Sequence, residues 1–219
     1  MIRGVIFDID GVLLDSLGIW DDLGARYLLS IGVKPEEGLN EILFSMSMEQ
    51  GSSYLNEHYH LQKTDAEVHA GITQMIEDFY FNEVLAKPGA KELLEFFKTK
   101  GIKMTAATSS PRIHVEKALE RNGMLCFIEK LFTNTEVGAS KHEPKIYNQA
   151  AAYMGTKPNE ALVFEDSLYA LKTAKNAGFV TAGVYDIKGE TDQEGVRNTG
   201  ELYIKDLNEF PLLFEQLNS

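Results

Sequence analysis

Seven polar or charged side chains, in four short groups along the chain, have the types needed to handle a phosphoryl group. Carboxylates can act as nucleophile, acid or base and can bind a metal ion, and hydroxyl and ammonium groups can bind phosphate oxygens. The residues are Asp8, Asp10, Thr108, Ser109, Lys141, Glu165 and Asp166.

Each group has a simpler structural interpretation when taken alone. The Asp10-Gly11 pair is typical of a turn, Asp166-Ser167 is typical of a helix N-terminus, and a single lysine such as Lys141 is usually a surface residue. Taken together, the four groups favour a metal-binding and phosphate-binding site. Carboxylates gathered in one crevice repel one another unless a cation bridges them, and a small set of oxygen ligands suits Mg²⁺. Hydroxyl and N–H groups at a helix start bind anions.

The elements that would position these residues alternate between strands and helices. Short apolar runs predict buried strands over 5–7, 103–107, 161–164 and 180–184. Helical spacing with Pro starts or Gly stops predicts helices over 90–100, 111–122, 144–154 and 167–176. This alternation predicts an α/β fold, a doubly wound parallel sheet with helices on both faces. Three of the four polar groups directly follow a strand, where such sheets bind ligands, and Lys141 lies in a loop between two strands.

One segment departs from the alternation. Residues 16–84 show helical spacing of apolar residues and no strand pattern, and Lys87-Pro88-Gly89 marks a return to the alternating pattern. The sequence therefore predicts a core formed by residues 1–15 and 85–219, with an inserted all-helical domain over 16–84.

The amino-acid composition limits the classes of partner that this protein is expected to bind. The 33 Asp and Glu outnumber the 21 Lys and Arg, for a formal charge of −12, which disfavours nucleic acid and anionic membrane surfaces. Nothing resembles a signal peptide or a membrane-spanning stretch, so we expect a cytoplasmic protein, and nothing in the sequence requires an oligomer. The single cysteine, Cys126, lies in an apolar run and is expected to be buried.

The four groups resemble, in order, the four signatures of the haloacid dehalogenase-like (HAD) superfamily. FDIDGVLLDS is similar to the first, Thr108 falls where the second has its Ser or Thr, SKHEPKIY is similar to the third, and FEDSLYALKTAKNAGF is similar to the fourth. The position of the insert is that of the subgroup containing phosphoglycolate phosphatases and β-phosphoglucomutases. The resemblance implies a Rossmann-like core with a helical cap.

The resemblance also implies roles for the matching residues. Asp8 would be the nucleophile, and Asp10 would be the acid and base. Asp8, Glu165, Asp166 and the carbonyl of Asp10 would bind Mg²⁺. Thr108, the amide of Ser109 and Lys141 would bind the phosphoryl group. The implied activity is Mg²⁺-dependent hydrolysis of a small phosphomonoester, such as a sugar phosphate, through an aspartyl-phosphate.

The chain departs from the superfamily pattern at several positions. His142, Lys145 and Ala170 replace the usual Pro, Asp and Gly. Trp20 stands where the mutases carry a histidine, so it is a candidate substrate-binding residue rather than a restraint on the acid/base. The loop over residues 44–50 lacks the arginine that mutases use for a second phosphate. Trp20 and the loop without arginine favour hydrolysis of a sugar phosphate over its conversion by a mutase, whereas the changes at His142, Lys145 and Ala170 concern only the match to the signatures.

Two alternatives remain open. A β-phosphoglucomutase-like mutase would use the same residues. A non-catalytic phosphate-binding or regulatory protein, including one similar to a response-regulator receiver, could use the same crevice without turnover, although the acid/base at Asp10 and the large helical insert count against it.

Overall fold

The computed structural model describes residues 1–218, whose centre is a sheet of six parallel strands. The strands are β1 (Gly4–Phe7), β2 (Lys103–Thr108), β3 (Lys130–Thr133), β4 (Ala161–Glu165), β5 (Val180–Val184) and β6 (Leu202–Ile204). Their order across the sheet is β3-β2-β1-β4-β5-β6, and each neighbouring pair is parallel. The predicted α/β fold with a doubly wound parallel sheet is confirmed.

The four predicted strands correspond to β1, β2, β4 and β5. The sequence prediction did not include β3 and β6, which form the two edges of the sheet. β3 has only two adjacent apolar residues, Leu131 and Phe132, and β6 is only three residues long, so neither provides an apolar run long enough to predict a strand.

By its internal contacts the chain divides into two compact units, residues 1–16 with 84–219 and residues 17–83. The first unit holds the sheet together with helices α5 (Ala90–Thr99), α6 (Arg112–Arg121), α7 (Asn134–Val137), α8 (Lys145–Met154), α9 (Leu168–Asn176), α10 (Gln193–Thr199) and α11 (Phe210–Asn218). The second holds α1 (Ile19–Ser30), α2 (Leu39–Leu43), α3 (Met48–His58), α4 (Asp65–Asp78) and a π-helical turn, Phe79–Glu83.

Alternating side chains of the central strands separate into two apolar cores, because successive residues of a strand point to opposite faces of its sheet. Ile6 of β1 and Val163 of β4 pack with α8 in one core. Phe7 and Phe164, the next residue of each strand, stack with ring centroids 4.8 Å apart in the other. Phe97 of α5 contacts both rings there. The two cores hold helices on both faces of the sheet.

Reciprocal capping boxes define the starts of two helices in the second unit. At α3 the Ser47 hydroxyl accepts the Gln50 amide, and the Gln50 side chain accepts the Ser47 amide. Thr64 and Glu67 form the same pair at α4. These side chains satisfy amides that have no partner inside the helix, so each helix begins at a defined residue.

The prediction that Cys126 is buried was wrong. The residue lies in a single 3₁₀ turn, Leu125–Phe127, and its side chain is exposed. The prediction treated the apolar run around Cys126 as one continuous buried segment, whereas the turn places its middle residue at the surface.

No helix among residues 1–218 combines the length and the apolar character needed to cross a bilayer.

The aromatic core generates a prediction for stability. Phe97 is fully buried, so Phe97→Ala leaves a cavity beside Phe7 and Phe164 and should lower the free energy of unfolding by about 3–5 kcal/mol in urea titrations. Leu212→Ala is the control, because this side chain is 78% exposed and its loss should cost no more than about 0.5 kcal/mol. Equal effects of the two substitutions would contradict the assignment of Phe97 to the core.

Candidate active site

The topology of the sheet brings the predicted site residues to one crevice. The chain runs from β1 to β2 and β3 on one side, then returns to place β4 on the other side of β1. At such a switch point the loops leaving adjacent strands diverge and leave a ligand crevice at the carboxyl ends. Asp8 follows β1, Thr108 ends β2, and Glu165 ends β4 and is followed by Asp166.

Lys141 connects two of these carboxylates. Its Nζ lies 2.6 Å from Asp8 Oδ1 and 2.7 Å from Glu165 Oε1, and all three side chains are buried. Lys141 comes from the segment between β3 and β4, so its ammonium group ties that connection to the ends of β1 and β4. The structure therefore brings together three of the predicted site residues.

Tyr147 is a contact that the sequence analysis did not identify. Its hydroxyl, on the first turn of α8, donates to the same Glu165 Oε1 at 2.6 Å. The other carboxylate oxygen, Oε2, is buried and has no hydrogen-bond partner among the described residues. Two donors thus hold one oxygen of Glu165 and leave the second available to a cation.

Burial shifts the acid–base equilibria of this crevice. Desolvation raises the pKa of Asp8 well above its ordinary value, and the nearby carboxylates of Glu165 and Asp166 add to the rise despite the opposing charge of Lys141. Desolvation and Glu165 likewise raise the pKa of Asp166 to about 7. Burial by itself would lower the pKa of Lys141, but the charges of Asp8 and Glu165 outweigh it and the pKa is raised. The Lys141 ammonium is therefore stabilised in its charged form, whereas burial disfavours the charged forms of Asp8 and Asp166, so three carboxyl groups share the positive charge of one ammonium group.

The donor set fits a divalent cation. Asp8, Glu165 and Asp166 each offer a carboxylate oxygen, and these oxygens lie within 4.8 Å of one another. Three buried carboxylates face one ammonium group, and no residue within 1–218 offers a hydrogen bond to Glu165 Oε2. Hard oxygen donors in this number are what Mg²⁺ takes alongside water and phosphate oxygens. Within residues 1–218 this is the only group of three or more His, Cys, Asp or Glu side chains whose ligand atoms lie this close together.

Two serine hydroxyls hold the carboxylate of Asp10. Ser16 Oγ donates to Oδ1 at 2.6 Å, and Ser110 Oγ donates to Oδ2 at 2.7 Å. A hydroxyl can donate to a carboxylate or accept from a carboxylic acid, so this pair suits Asp10 in either protonation state. The role of these serines could not be predicted from the sequence, because nothing in their spacing shows that their hydroxyls converge.

Thr108 and Ser109 lie at the end of β2, in front of α6. Thr108 is fully buried, and its hydroxyl accepts the Ser110 amide at 3.0 Å. The Ser109 hydroxyl instead accepts from Asn134 Nδ2 at 2.8 Å. The Thr108 contact shapes the turn between the strand and the helix, where predicted phosphate donors would be presented.

Trp20 belongs to the helical unit and is 55% exposed. Together with Met46 and Met48 it lines a largely apolar cavity of about 230 Å³ inside that unit. Tyr54, another aromatic residue of the same unit, is not among the residues that line this cavity, and its ring stacks on His58 with ring centroids 4.9 Å apart. The role of Trp20 in substrate binding stays a prediction.

Curated relatives of this chain are phosphatases of small molecules. A phosphorylated carbohydrates phosphatase of Thermotoga maritima is 27% identical over 176 residues, 80% of this chain and 82% of that protein. Hexitol phosphatase A of Escherichia coli is 29% identical over 178 residues, 80% of each chain. A glyceraldehyde 3-phosphate phosphatase of Methanopyrus kandleri is 27% identical over 197 residues, 84% of each.

Solved structures share the fold. A candidate β-phosphoglucomutase from Thermotoga maritima superimposes with a TM-score of 0.86 at 24% identity, over 98% of this chain and 99% of that one. At that identity the likeness concerns the fold alone. The sequence model of the haloacid dehalogenase-like hydrolases matches residues 2–178. Since that match spans well over half of the chain, with the four signature groups converging on one crevice, this protein belongs to the haloacid dehalogenase-like hydrolase family.

Proposed function

We propose that this protein is a Mg²⁺-dependent phosphatase that hydrolyses small phosphomonoesters of the sugar phosphate class through an aspartyl-phosphate on Asp8. The single observation that carries the proposal is the arrangement around Asp8. This carboxylate contacts the ammonium of Lys141 in a buried crevice, and Asp10, two residues later, is held by two hydroxyls. A nucleophile, a fixed cation and a separate acid/base are the parts that two-step phosphoryl transfer needs.

In the first step a carboxylate oxygen of Asp8 attacks phosphorus, and the bond between phosphorus and the ester oxygen breaks. Asp10 gives its proton to the departing alcohol oxygen. Lys141 offsets the negative charge of the attacking carboxylate and of the transferred group, as its 2.6 Å contact with Asp8 allows. The amide of Ser109 and the hydroxyl of Thr108 are the proposed donors to the phosphoryl oxygens.

In the second step Asp10, now a carboxylate, takes a proton from a water molecule as the water attacks phosphorus. The bond between phosphorus and Asp8 breaks, which returns Asp8 as a carboxylate and releases inorganic phosphate. Ser16 and Ser110 hold Asp10 before and after each transfer, because their hydroxyls pair with both protonation states.

Asp8, Glu165, Asp166 and the carbonyl of Asp10 are the proposed Mg²⁺ ligands. When bound, the ion supplies positive charge for the phosphoryl oxygens and relieves repulsion among the buried carboxylates. Tyr147 and Lys141 would hold Glu165 with Oε2 directed to the ion, since both already contact Oε1.

The substrate class rests on the relatives, whose names specify phosphorylated carbohydrates, hexitol phosphates and glyceraldehyde 3-phosphate. These are phosphate esters of small carbohydrates and of their reduced forms. The net charge of −12 also favours a small substrate over a polyanion, because like charges repel.

A phosphosugar mutase is the second candidate, because it uses the same core residues. It must hold an intermediate with two phosphates, and the mutases bind the second phosphate with an arginine of the inserted segment, whose guanidinium can offer two N–H groups to one phosphate. Arg26 is one of three Lys or Arg there, and its guanidinium is already engaged by Asp22 at 3.0 Å and Glu83 at 2.9 Å. Lys34 and Lys63 are exposed. Because Arg26 is the single arginine of the inserted segment and is already paired, hydrolysis is favoured.

We expect Asp8→Asn to remove turnover while leaving the fold intact, because the amide oxygen is a poor nucleophile of nearly the same shape. Phosphate release from glucose 6-phosphate, sorbitol 6-phosphate and glyceraldehyde 3-phosphate should fall by about 1,000-fold or more. The control is Asp78→Asn, the same change at an exposed aspartate of the helical unit, with wild-type rates expected. Activity retained by Asp8→Asn on the best substrate would exclude the covalent mechanism.

Metal binding should be visible without turnover. A ligand that binds only the folded state at 100 times its Kd stabilises by about 2.7 kcal/mol, so Mg²⁺ should raise the free energy of unfolding of the wild type by about this amount. Asp166→Asn should largely lose the effect, whereas Asp78→Asn should keep it. A wild type whose unfolding in EDTA and in saturating Mg²⁺ is the same would contradict the metal assignment.

Hydrolysis and the mutase reaction can be distinguished with one substrate, glucose 1-phosphate. We expect glucose 1-phosphate to yield inorganic phosphate, with glucose 6-phosphate formed at less than about a tenth of that rate, because the inserted segment provides no free arginine for a second phosphate. Coupled assays for the two products measure both rates in the same sample. Faster formation of glucose 6-phosphate would assign the protein to the mutases.

A further inference from the structure

Lys87 is a largely buried lysine that the mechanism above does not use. It lies where the chain re-enters the α/β unit, and its side chain is 14% exposed. Its ammonium nitrogen has three acceptors: the Gly11 carbonyl at 2.7 Å, the Tyr185 carbonyl at 2.9 Å and Asp186 Oδ2 at 2.8 Å. An ammonium group has three N–H bonds, so each has a partner and the group is fully satisfied.

Asp186 supplies the charge that keeps this ammonium group inside the protein. It follows β5, its side chain is 5% exposed, and its second oxygen accepts the Lys188 amide at 2.8 Å. A buried ion pair is retained only when both partners are hydrogen-bonded, and removing one of them leaves an uncompensated charge. The pair therefore fixes Lys87 in one position relative to the end of β5.

The Gly11 carbonyl, one of the three acceptors of Lys87, belongs to the loop that carries Asp10. Gly11 adopts a positive φ of 74°, and its amide donates to Leu14 O. The amides of Leu13 and Leu14 both donate to Ile9 O, so the loop satisfies its own donors. The Gly11 carbonyl, by contrast, accepts a hydrogen bond from outside the loop, from the ammonium group of Lys87. The Lys87 backbone amide also donates to Leu13 O at 2.9 Å, so this residue binds the loop at two points.

We propose that Lys87 is a positioning residue for Asp10: anchored by Asp186, it holds residues 9–14 so that the Asp10 carboxyl is aimed at the leaving oxygen. The inference rests on the proposed role of Asp10 as acid and base. Ser16 and Ser110 restrain the side chain of Asp10, and Lys87 restrains the backbone next to it. Restraint of both is needed, because a misplacement of about 1 Å costs about 100-fold in rate.

A leaving-group comparison separates positioning from general damage. Sorbitol 6-phosphate releases an alkoxide-like oxygen that needs a proton from Asp10, whereas p-nitrophenyl phosphate releases a stable phenolate that does not. The measured quantity is kcat/KM, which covers the steps up to loss of the alcohol or phenol. In Lys87→Met, which keeps an unbranched apolar side chain and removes the ammonium, kcat/KM should fall about 10- to 100-fold for sorbitol 6-phosphate. For p-nitrophenyl phosphate the fall should be about threefold or less.

Lys103→Met is the matched control. Lys103 also donates its ammonium to a backbone carbonyl, Met154 O at 3.0 Å, but it begins β2 at the opposite end of the strands from Asp10. Both substrates should be turned over at wild-type rates. If Lys87→Met fails to fold because Asp186 is left as an unpaired buried charge, the double variant Lys87→Met with Asp186→Asn removes that charge and is measured in the same way.

Hydrogen exchange tests the restraint without turnover. The amides of Gly11, Leu13 and Leu14 should exchange faster in Lys87→Met than in the wild type, and Lys103→Met should leave them unchanged. An equal fall of kcat/KM for both esters, or unchanged exchange in this loop, would overturn the assignment while leaving the phosphatase proposal intact. Absence of phosphate release from either ester by the wild type would instead refute the proposed function, and hydrogen exchange would then decide whether Lys87 holds the loop.

Discussion

One ammonium group among three buried carboxylates is the interaction on which the rest of the crevice depends. Lys141 contacts Asp8 and Glu165 directly, and Asp166 adds a further negative charge that Lys141 does not neutralise. Burying unpaired charge is costly, so such a cluster persists only where another cation or a shared proton offsets it. The raised pKa values of Asp8 and Asp166 express the same cost. A divalent cation bound among these carboxylates would offset this cost, which is the physical argument for the proposed Mg²⁺ site.

The sheet makes that concentration of charge possible. Parallel strands all end at the same edge, and the reversal of strand order at β1 opens a crevice between loops that turn away from each other. Asp8 follows Phe7, the last paired residue of β1, and Glu165 follows Phe164, its partner in β4, so the register of these adjacent strands brings the two carboxylates close together. The apolar cores on the two faces, with Phe97 and α8 as their main contributors, keep those strand ends in place.

Around the charged centre, hydroxyl and ammonium groups restrain the side chains that would react. Tyr147 orients Glu165, and Ser16 and Ser110 orient Asp10. Lys87 and Asp186 form a second buried ion pair, which contacts the loop of Asp10 rather than the carboxylates themselves. Catalysis depends on reacting groups being held before substrate arrives, and these contacts place that restraint on both side chains and backbone.

The sequence by itself determined the fold class, the four central strands and the residue types of the site, because buried strands and helix boundaries leave periodic local patterns. Local patterns were insufficient for the edge strands β3 and β6 and for Cys126, whose exposure depends on a single turn. Only the tertiary structure decided which groups touch. Ser16 and Tyr147 lie 6 and 18 positions from the carboxylates that accept their hydrogen bonds. Ser110 meets Asp10 across 100 positions of sequence and Lys87 meets Asp186 across 99, because the folded sheet joins loops that are distant in the chain. Hydrogen bonds between such loops depend on three-dimensional geometry, which residue spacing along one chain does not encode.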